Sequence, residues 1–122
     1  MNNTTTPLVV SKYRALSHYN WGNNCDVWNL LDNEALSVKH EKMPSGTEEE
    51  LHYHKVAQQF FYILKGRAIF EVDNVILIVH GGEGIQIEAG KHHKIMNKED
   101  VEVLEFIVCS QPSVVNDRYN LA

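Results

Sequence analysis

Short apolar runs, separated by clusters of glycine, asparagine and aspartate, dominate the pattern from residue 58 onwards. Residues 59–64 read Gln-Phe-Phe-Tyr-Ile-Leu, which is typical of a buried strand. Residues 67–72 alternate and place three apolar side chains on one face, whereas the unbroken apolar run 75–79 predicts a strand buried on both faces. Asp73-Asn74 predicts the tight turn between these two strands. Further strands are predicted at 85–88, 91–96 and 101–108.

The first third of the chain has a weaker pattern. Residues 1–7 are polar and we expect them to be frayed, 8–36 predicts one or two short strands, and 36–43 predicts another strand. After residue 110 the regular pattern ends, and the tail 111–122 is expected to pack outside the main fold. Turn signals recur every few residues, so the chain predicts roughly eight to ten short strands and no helix. This indicates one all-β domain over residues 1–122, a sandwich or a barrel.

Two histidines stand at alternate positions in the segment His52-Tyr53-His54. In an extended backbone both side chains project from one face, whereas a helix would set them about 200° apart. Two imidazoles on one face are half of a transition-metal site. A straight strand would place Gln59 on the opposite face, but a turn over 55–58 would bring its amide back toward the histidines. A second histidine cluster, His92-His93, opens another predicted strand.

These two segments resemble the two sequence motifs of the cupin superfamily. In the first motif, the glycine, the two histidines, the acidic position and the closing glycine are matched in spacing by Gly46, His52, His54, Gln59 and Gly66. In the second motif, the matching positions are Gly82, Gly90, His93 and Asn97. Two departures stand out: Gln59 replaces the glutamate of the family, and Glu88 stands where the family has proline.

The resemblance implies a fold and a metal site. The fold is an all-β double-stranded β-helix, or jelly-roll barrel, with the site at its mouth. By carry-over of the motif positions, the metal ligands would be His52, His54, Gln59 and His93. His92 is an alternative to His93, and Gln58 is an alternative to Gln59. The motif spacing selects His93 and Gln59. The cofactor would be a divalent transition metal, and imidazole-rich ligation accommodates Fe, Zn, Ni, Cu, Co or Mn.

A carboxamide in place of the family's carboxylate changes the charge of the expected site. Three neutral imidazoles and a neutral amide leave a divalent ion with its full charge of about two, which strengthens it as a Lewis acid and favours anionic ligands. The pattern names no catalytic residue, although Glu41, His40 and Tyr62 lie within reach in sequence order. His40 is the remaining histidine expected to line the pocket. The expected apolar walls are Phe61, Ile63, Phe70, Ile85 and Ile87.

Three functions fit this pattern. The first is an enzyme that acts on a small organic molecule with dioxygenase-type or isomerase-type chemistry at the metal. The second is a non-catalytic module that binds or senses a small molecule or a sugar. The third is a purely structural metal, which we disfavour because a domain of this size folds by core burial. The fold alone does not separate them, because one architecture hosts many activities.

Composition and charge limit the classes of partner that are expected for this protein. The formal net charge is −5 without a basic block, so nucleic acid is not an expected partner. No apolar run is long enough to span a bilayer, and the polar start lacks the features of a secretory signal. Two isolated cysteines, Cys25 and Cys109, are expected to be reduced thiols, and the protein is expected to be cytoplasmic. The acidic triplet 48–50 is read as a solvated loop without a ligand role.

A homodimer is expected from the resemblance, since small proteins of this superfamily commonly pair. Apolar side chains on both sides of strands 60–64 and 75–79 agree with a surface that a second copy covers.

Overall fold

A computed structural model describes residues 6–121 of the chain. The strands within this range are β1 Ser17–Trp21, β2 Cys25–Asp32, β3 Ser37–Met43, β4 His52–Tyr53, β5 Gln58–Lys65, β6 Arg67–Val72, β7 Val75–His80, β8 Gly84–Ile87, β9 His93–Met96, β10 Leu104–Gln111 and β11 Tyr119–Asn120. The same range contains no helix, and therefore none that could cross a membrane. The all-β prediction is confirmed. Most of the start that we expected to be frayed, residues 1–5, lies outside the described residues.

The strands form two sheets in which every pairing is antiparallel. The larger sheet has six strands in the order β1-β2-β3-β10-β5-β8, and the smaller has five in the order β11-β4-β9-β6-β7. Neighbours that are distant along the chain, such as β3 and β10, show that the chain crosses repeatedly between positions, as in a jelly roll. The predicted double-stranded β-helix is confirmed.

Alternation along the strands builds the core between the two sheets. In β5 the side chains of Phe61 and Ile63 are buried while their neighbours along the strand are exposed. Phe61 packs edge-on against Phe70 of the other sheet, with ring centroids 5.1 Å apart, and also contacts Phe106 at 5.6 Å. Burial of each such ring stabilises the fold by about 2–3 kcal/mol. The period of two along β5 and β10 therefore fixes which side chains face the interior.

The hairpin between β6 and β7 forms as the sequence predicts. Asp73 and Asn74 have φ angles of 47° and 70°, the left-handed pair that a two-residue turn between twisted strands requires. At the start of this hairpin Gly66 has φ 91°, and a Cβ atom there would lie 2.6 Å from the backbone oxygen of Val103. A side chain at position 66 would thus meet both backbone strain and a direct clash.

The prediction that residues 75–79 are buried on both faces is wrong. Val75, Ile76, Leu77 and Ile78 are between 39% and 58% exposed, and only Val79 is buried. The reason is topological: β7 is the last strand of the smaller sheet and pairs only with β6. An apolar, β-branched run looks the same in sequence whether the strand is central or at an edge.

The tail after β10 returns to the smaller sheet. Strand β11 pairs with β4, so that Asn120 lies opposite His52 and Tyr119 lies opposite Tyr53. This pairing continues the sheet beyond the histidine strand. It therefore brings the last residues of the described chain next to the candidate site.

Candidate metal centre

Three histidines converge on the inner face of the smaller sheet. His52 in β4 is the direct cross-strand partner of His93 in β9, which brings their rings to a centroid distance of 4.4 Å. The ring of His54 lies 5.0 Å from that of His52 and 5.6 Å from that of His93. All three residues are at most 3% exposed. One ring nitrogen of each lies within 4.8 Å of the others, so the three could hold a metal ion.

Backbone carbonyls hold all three rings in the same tautomer. The Nδ1 of His52 lies 2.8 Å from the carbonyl oxygen of Glu50, and that of His93 lies 2.9 Å from the carbonyl of Lys91. The Nδ1 of His54 bonds the carbonyl of Asp117. A carbonyl only accepts, so each Nδ1 carries the proton and donates it. Each Nε2 is therefore left with a free lone pair, the form in which an imidazole binds a metal.

The surroundings keep these histidines neutral. Burial lowers the pKa of His52 to about 3 and that of His93 to about 4, and it also lowers the pKa of His54. The positive charge of Arg118 contributes to the lowering at all three positions. At neutral pH each ring is thus an uncharged donor of an electron pair.

Gln59 approaches the histidines from the facing sheet. It lies near the start of β5, after the chain has turned through residues 54–57, and it is 8% exposed. Its Nε2 donates to the hydroxyl of Ser110, its cross-strand neighbour, at 3.0 Å. Its Oε1 points at Nε2 of His93, at 3.2 Å. The turn expected from the sequence therefore does bring the amide back to the histidine side.

This arrangement passes a chemical test for a cation. Because Nδ1 of His93 carries the ring proton, its Nε2 and the Oε1 of Gln59 are two acceptors facing each other with no hydrogen between them. The Nε2 of His54 is also buried without a hydrogen-bond partner among the described residues. A divalent ion with bonds of about 2.1 Å would satisfy all of these atoms after small side-chain movements. The residues fit the metal that the sequence motifs imply.

The rival residues point elsewhere. His92 is exposed and stacks on Tyr53 at a centroid distance of 5.1 Å. Gln58 is also exposed, and its side chain bonds those of Gln86 and Gln111 on the outer face. Alternation along each strand decides both cases, because the residue next to an inward-facing one must face outward. The structure places His93 and Gln59 inside.

His40 is not in the cavity, contrary to the expectation from the sequence. It lies on the outer face of the larger sheet, where its Nε2 bonds Glu105 at 3.2 Å and its ring meets Trp28 edge-on. The inward residue of this strand is its neighbour Glu41. Tyr62 also faces outward and is 41% exposed.

Beside the histidines lies a cavity of about 290 Å³. Of the five apolar wall residues expected from the sequence, only Phe61 lines it. Ile63, Phe70 and Ile87 are buried in the hydrophobic core, and Ile85 packs against that core. The remaining apolar lining comes from Trp21, Val27, Phe106, Val108 and Val114. This volume is at the lower end for ligand cavities and suits a small molecule.

Two carboxyl groups line this cavity: Glu41, which the sequence placed within reach without fixing its facing, and Glu49, which the sequence did not indicate. Burial raises the pKa of Glu41 to about 7 and that of Glu49 to about 8, and the charge of Glu41 adds to the shift at Glu49. The indole N–H of Trp21 donates to Glu41, and Glu49 accepts from the backbone N–H of Ile95. The interpretation of 48–50 as a solvated loop is therefore wrong for Glu49. For Glu41 a signal existed, since it stands two residues before the inward-facing Met43.

Asp117 in the tail organises the loop between the histidines and Gln59. Its carboxylate accepts hydrogen bonds from the backbone N–H groups of Lys55, Val56 and Ala57, at 2.8, 3.1 and 3.0 Å. Burial works to raise the pKa of this carboxyl, but the three N–H bonds outweigh it and the pKa is lowered. No sequence pattern links residue 117 to this loop.

Comparison with known proteins gives a consistent picture. A family model described as "Cupin domain" matches residues 39–109, more than half of the chain. An uncharacterised protein of Methanocaldococcus jannaschii is 32% identical over 84 residues, which span 69% of this chain and 66% of that protein.

Several solved structures share the fold. A protein of Thermotoga maritima described as a predicted oxalate decarboxylase has a TM-score of 0.77 at 22% identity, covering 87% of this chain and 100% of that one. An RmlC-like cupin from Shewanella frigidimarina has a TM-score of 0.79 at 17% identity, with coverages of 91% and 96%. KdgF from Halomonas sp. has a TM-score of 0.76 at 14% identity, with coverages of 89% and 96%. At these identities the likeness concerns the fold.

Proposed function

Because this chain belongs to the cupin family, we propose that it is a metal-dependent enzyme acting on a small organic molecule. The ion would be a divalent transition metal held by the Nε2 atoms of His52, His54 and His93 and by the Oε1 of Gln59. One observation carries the proposal: His52, His54 and His93 are buried, and one ring nitrogen of each lies within 4.8 Å of the others, beside the amide of Gln59. Neutral imidazoles that converge in this way present lone pairs that a divalent cation would satisfy.

The metal, the residues that orient its ligands and the apolar wall of the cavity would have different roles in the reaction. The bound metal would supply a Lewis acid with a charge of about two, since none of its four ligands is charged. Asp117 and the backbone carbonyls fix the ligand rings before the metal arrives, which lowers the cost of ordering them. The apolar wall around Phe61 and Phe106 excludes water from one side of the substrate.

Two carboxyl groups favour an enzyme over a binding module. A general acid or base works best when its pKa is close to the working pH, and the pKa values of Glu41 and Glu49 are raised to about 7 and about 8. Both groups line the same cavity as the histidines. They could hold a proton or take one from a bound molecule, as isomerisation and decarboxylation require. A module that only binds a ligand has no need of such groups.

Metal identification tests the proposal most directly. Elemental analysis of the purified protein should find about one equivalent of a first-row transition metal. Iron or copper would direct the search to oxygen-consuming reactions, and zinc to reactions without redox change. Protein that contains no such metal and takes none up after dialysis would contradict the proposal.

Turnover separates the enzyme from the binding module. For a substrate that the metal-loaded protein converts, Glu49→Gln should lower kcat by about 10²–10⁴-fold, because general acid–base catalysis contributes that much. The metal content should stay constant. The matched control is Glu88→Gln, which changes an exposed glutamate outside the cavity. If the metal-loaded protein binds ligands but returns every one of them unchanged, the binding module is the better assignment.

A further inference from the structure

Arg118 is a cavity residue that the metal site does not use. It stands next to β11, whose pairing with β4 places Asn120 opposite His52. Continuing this antiparallel register places residue 118 opposite His54, and opposite residues in such a pair share a face of the sheet. Arg118 therefore points to the same side as the two histidines. Its charge is close enough to contribute to the lowered pKa of all three histidines.

Most of the donors of Arg118 are not committed to the protein. Its Nε donates to the side chain of Asn120 at 3.0 Å. Its Nη1 forms an ion pair with Oε2 of Glu49 at 3.6 Å, a distance longer than a hydrogen bond, and the side chain is 41% exposed. Among the described residues no other hydrogen bond of this guanidinium is formed, so the Nη2 group and the Nη1 N–H that does not face Glu49 remain for a ligand. This fork matches the two oxygens of a carboxylate.

The charge balance of the cavity favours an anion whatever the state of its carboxyl groups. The lining carries two cations, Arg118 and Lys39, and two acids, Glu41 and Glu49. With both acids ionised these four groups cancel, and a divalent ion then leaves an excess of about two positive charges. Burial favours the uncharged form of both acids and so makes the excess larger. A neutral ligand would leave this charge uncompensated in a partly buried space.

We propose that the cavity binds a small organic acid, whose carboxylate is held by the guanidinium of Arg118 while a second oxygen of the molecule reaches the metal. The inference rests on the proposed function for the second contact, but the contact with Arg118 needs no metal. The volume of about 290 Å³ restricts the acid to a small one. Specificity for the acid comes from the C-terminal segment, which lies beyond the matched family region of residues 39–109.

Binding measurements with matched acids and amides test this inference. Glycolate, lactate and succinate are titrated calorimetrically against glycolamide, lactamide and succinamide, on metal-loaded protein and on protein treated with EDTA. The variants are Arg118→Gln, which removes the charge, and Arg118→Lys, which keeps the charge without the fork. Arg14→Gln is the control, because Arg14 is exposed and lies outside the cavity. Metal content and circular dichroism are recorded for each variant.

We expect at least one acid to bind about tenfold or more tightly than its amide, in both the metal-loaded and the metal-free protein. Arg118→Gln should remove this preference at unchanged metal content, Arg118→Lys should retain part of it, and the control should retain all of it. The inference is overturned if Arg118→Gln binds the acid as well as the unchanged protein does. It is also overturned if no acid in the panel is preferred to its amide. Absence of metal in the protein would contradict the proposed function but not this inference, because the titrations of metal-free protein still test the role of Arg118.

Discussion

The backbone carbonyl of Asp117 accepts the hydrogen bond from Nδ1 of His54, although the two residues lie 63 positions apart. The carboxylate of the same aspartate binds three successive N–H groups of the loop that follows His54. One tail residue thus sets the tautomer of a candidate metal ligand and holds the turn that returns the chain to Gln59. Asp117 is a positioning residue for the site.

Replacing Asp117 should therefore weaken metal binding without removing any ligand. In Asp117→Ala the N–H of Ala57 stays buried without a partner, which should lower the free energy of unfolding by about 1–3 kcal/mol. The variant keeps the carbonyl that orients His54, but without the carboxylate that carbonyl and the turn leading to Gln59 are no longer held in place. Metal affinity should therefore fall by about 10–100-fold, as measured by competition with a chromophoric chelator. Asp100→Ala, at an exposed loop position, is the control and should change neither quantity. Full metal affinity in Asp117→Ala would show that the tail only covers the site.

The adjacent histidines 92 and 93 provide a paired test of the ligand set. His93→Ala should reduce metal content from about one equivalent to less than about a tenth, because it removes a buried donor. His92→Ala should retain the metal, since this ring lies on the outer face against Tyr53. The double variant His52→Ala, His54→Ala should also lose the metal and keep the far-ultraviolet circular dichroism of a β protein. Equal metal contents in the two single variants would contradict the assignment of His93.

Gln59 distinguishes a metal site from a hydrogen-bonded cluster. If its amide were turned by 180°, it would donate to Nε2 of His93 and satisfy both atoms without an ion. Gln59→Glu separates the two cases, because a carboxylate cannot donate in this way. At a metal site the added charge should tighten metal binding by about tenfold or more. In a hydrogen-bonded cluster it should only bury an uncompensated charge, lowering the melting temperature both with and without added metal.

Glu49 should make the metal-free protein less stable as the pH rises. Its pKa is raised to about 8 in the fold, above the ordinary value of 4.5, so the unfolded chain loses this proton first. Stability is therefore lost between those two pKa values, at about 1.4 kcal/mol per pH unit for this group. The unfolded histidines still lose protons just above pH 6.5, and because the three buried histidines are already neutral in the fold, this adds stability as the pH rises. The comparison with Glu49→Gln, which keeps every histidine, therefore isolates the contribution of Glu49.

Urea unfolding of EDTA-treated protein at pH 6.5 and pH 8 measures this loss, which should be about 2 kcal/mol for Glu49. Glu49→Gln removes the titrating group and should therefore lose about 2 kcal/mol less than the unchanged protein between these two pH values, whereas the exposed Glu88→Gln should follow the unchanged protein. A slope that is the same in Glu49→Gln and in the unchanged protein would show that Glu49 ionises normally.

The exposed apolar side chains of the edge strand β7 lead to a prediction about the oligomeric state of the protein. We propose that a second copy of the chain covers the exposed side chains of residues 75–78, which would make the homodimer expected from the sequence. An unpaired edge with apolar side chains is otherwise prone to aggregation. Ile76→Lys should convert the dimer to a monomer in light scattering, whereas Val101→Lys, at a valine that is 85% exposed in a loop, should not. A monomeric unchanged protein would contradict this proposal.

The sequence determined the all-β architecture, several of its strands and the four converging side chains. Strand β5 and the β6–β7 hairpin could be predicted from the sequence because alternation and left-handed turn residues are local properties. The spacing of the sequence motifs reflects a geometry shared by the superfamily. It therefore predicted that four side chains converge, those of His52, His54, Gln59 and His93. Alternation along a strand allows only one of His92 and His93 to face inward, and the motif spacing selected His93.

Only the tertiary structure decided what surrounds those four side chains. Sheet order made β7 an edge strand, and the return of the tail as β11 brought Asp117 and Arg118 to the site. The raised pKa values of Glu41 and Glu49 arise from burial by segments distant in sequence. Spacing along a chain records local conformation, whereas burial and charge depend on every segment that packs nearby. That is why the convergence of the candidate metal ligands could be predicted from the sequence, and why the burial of Glu49 and the position of Arg118 could not.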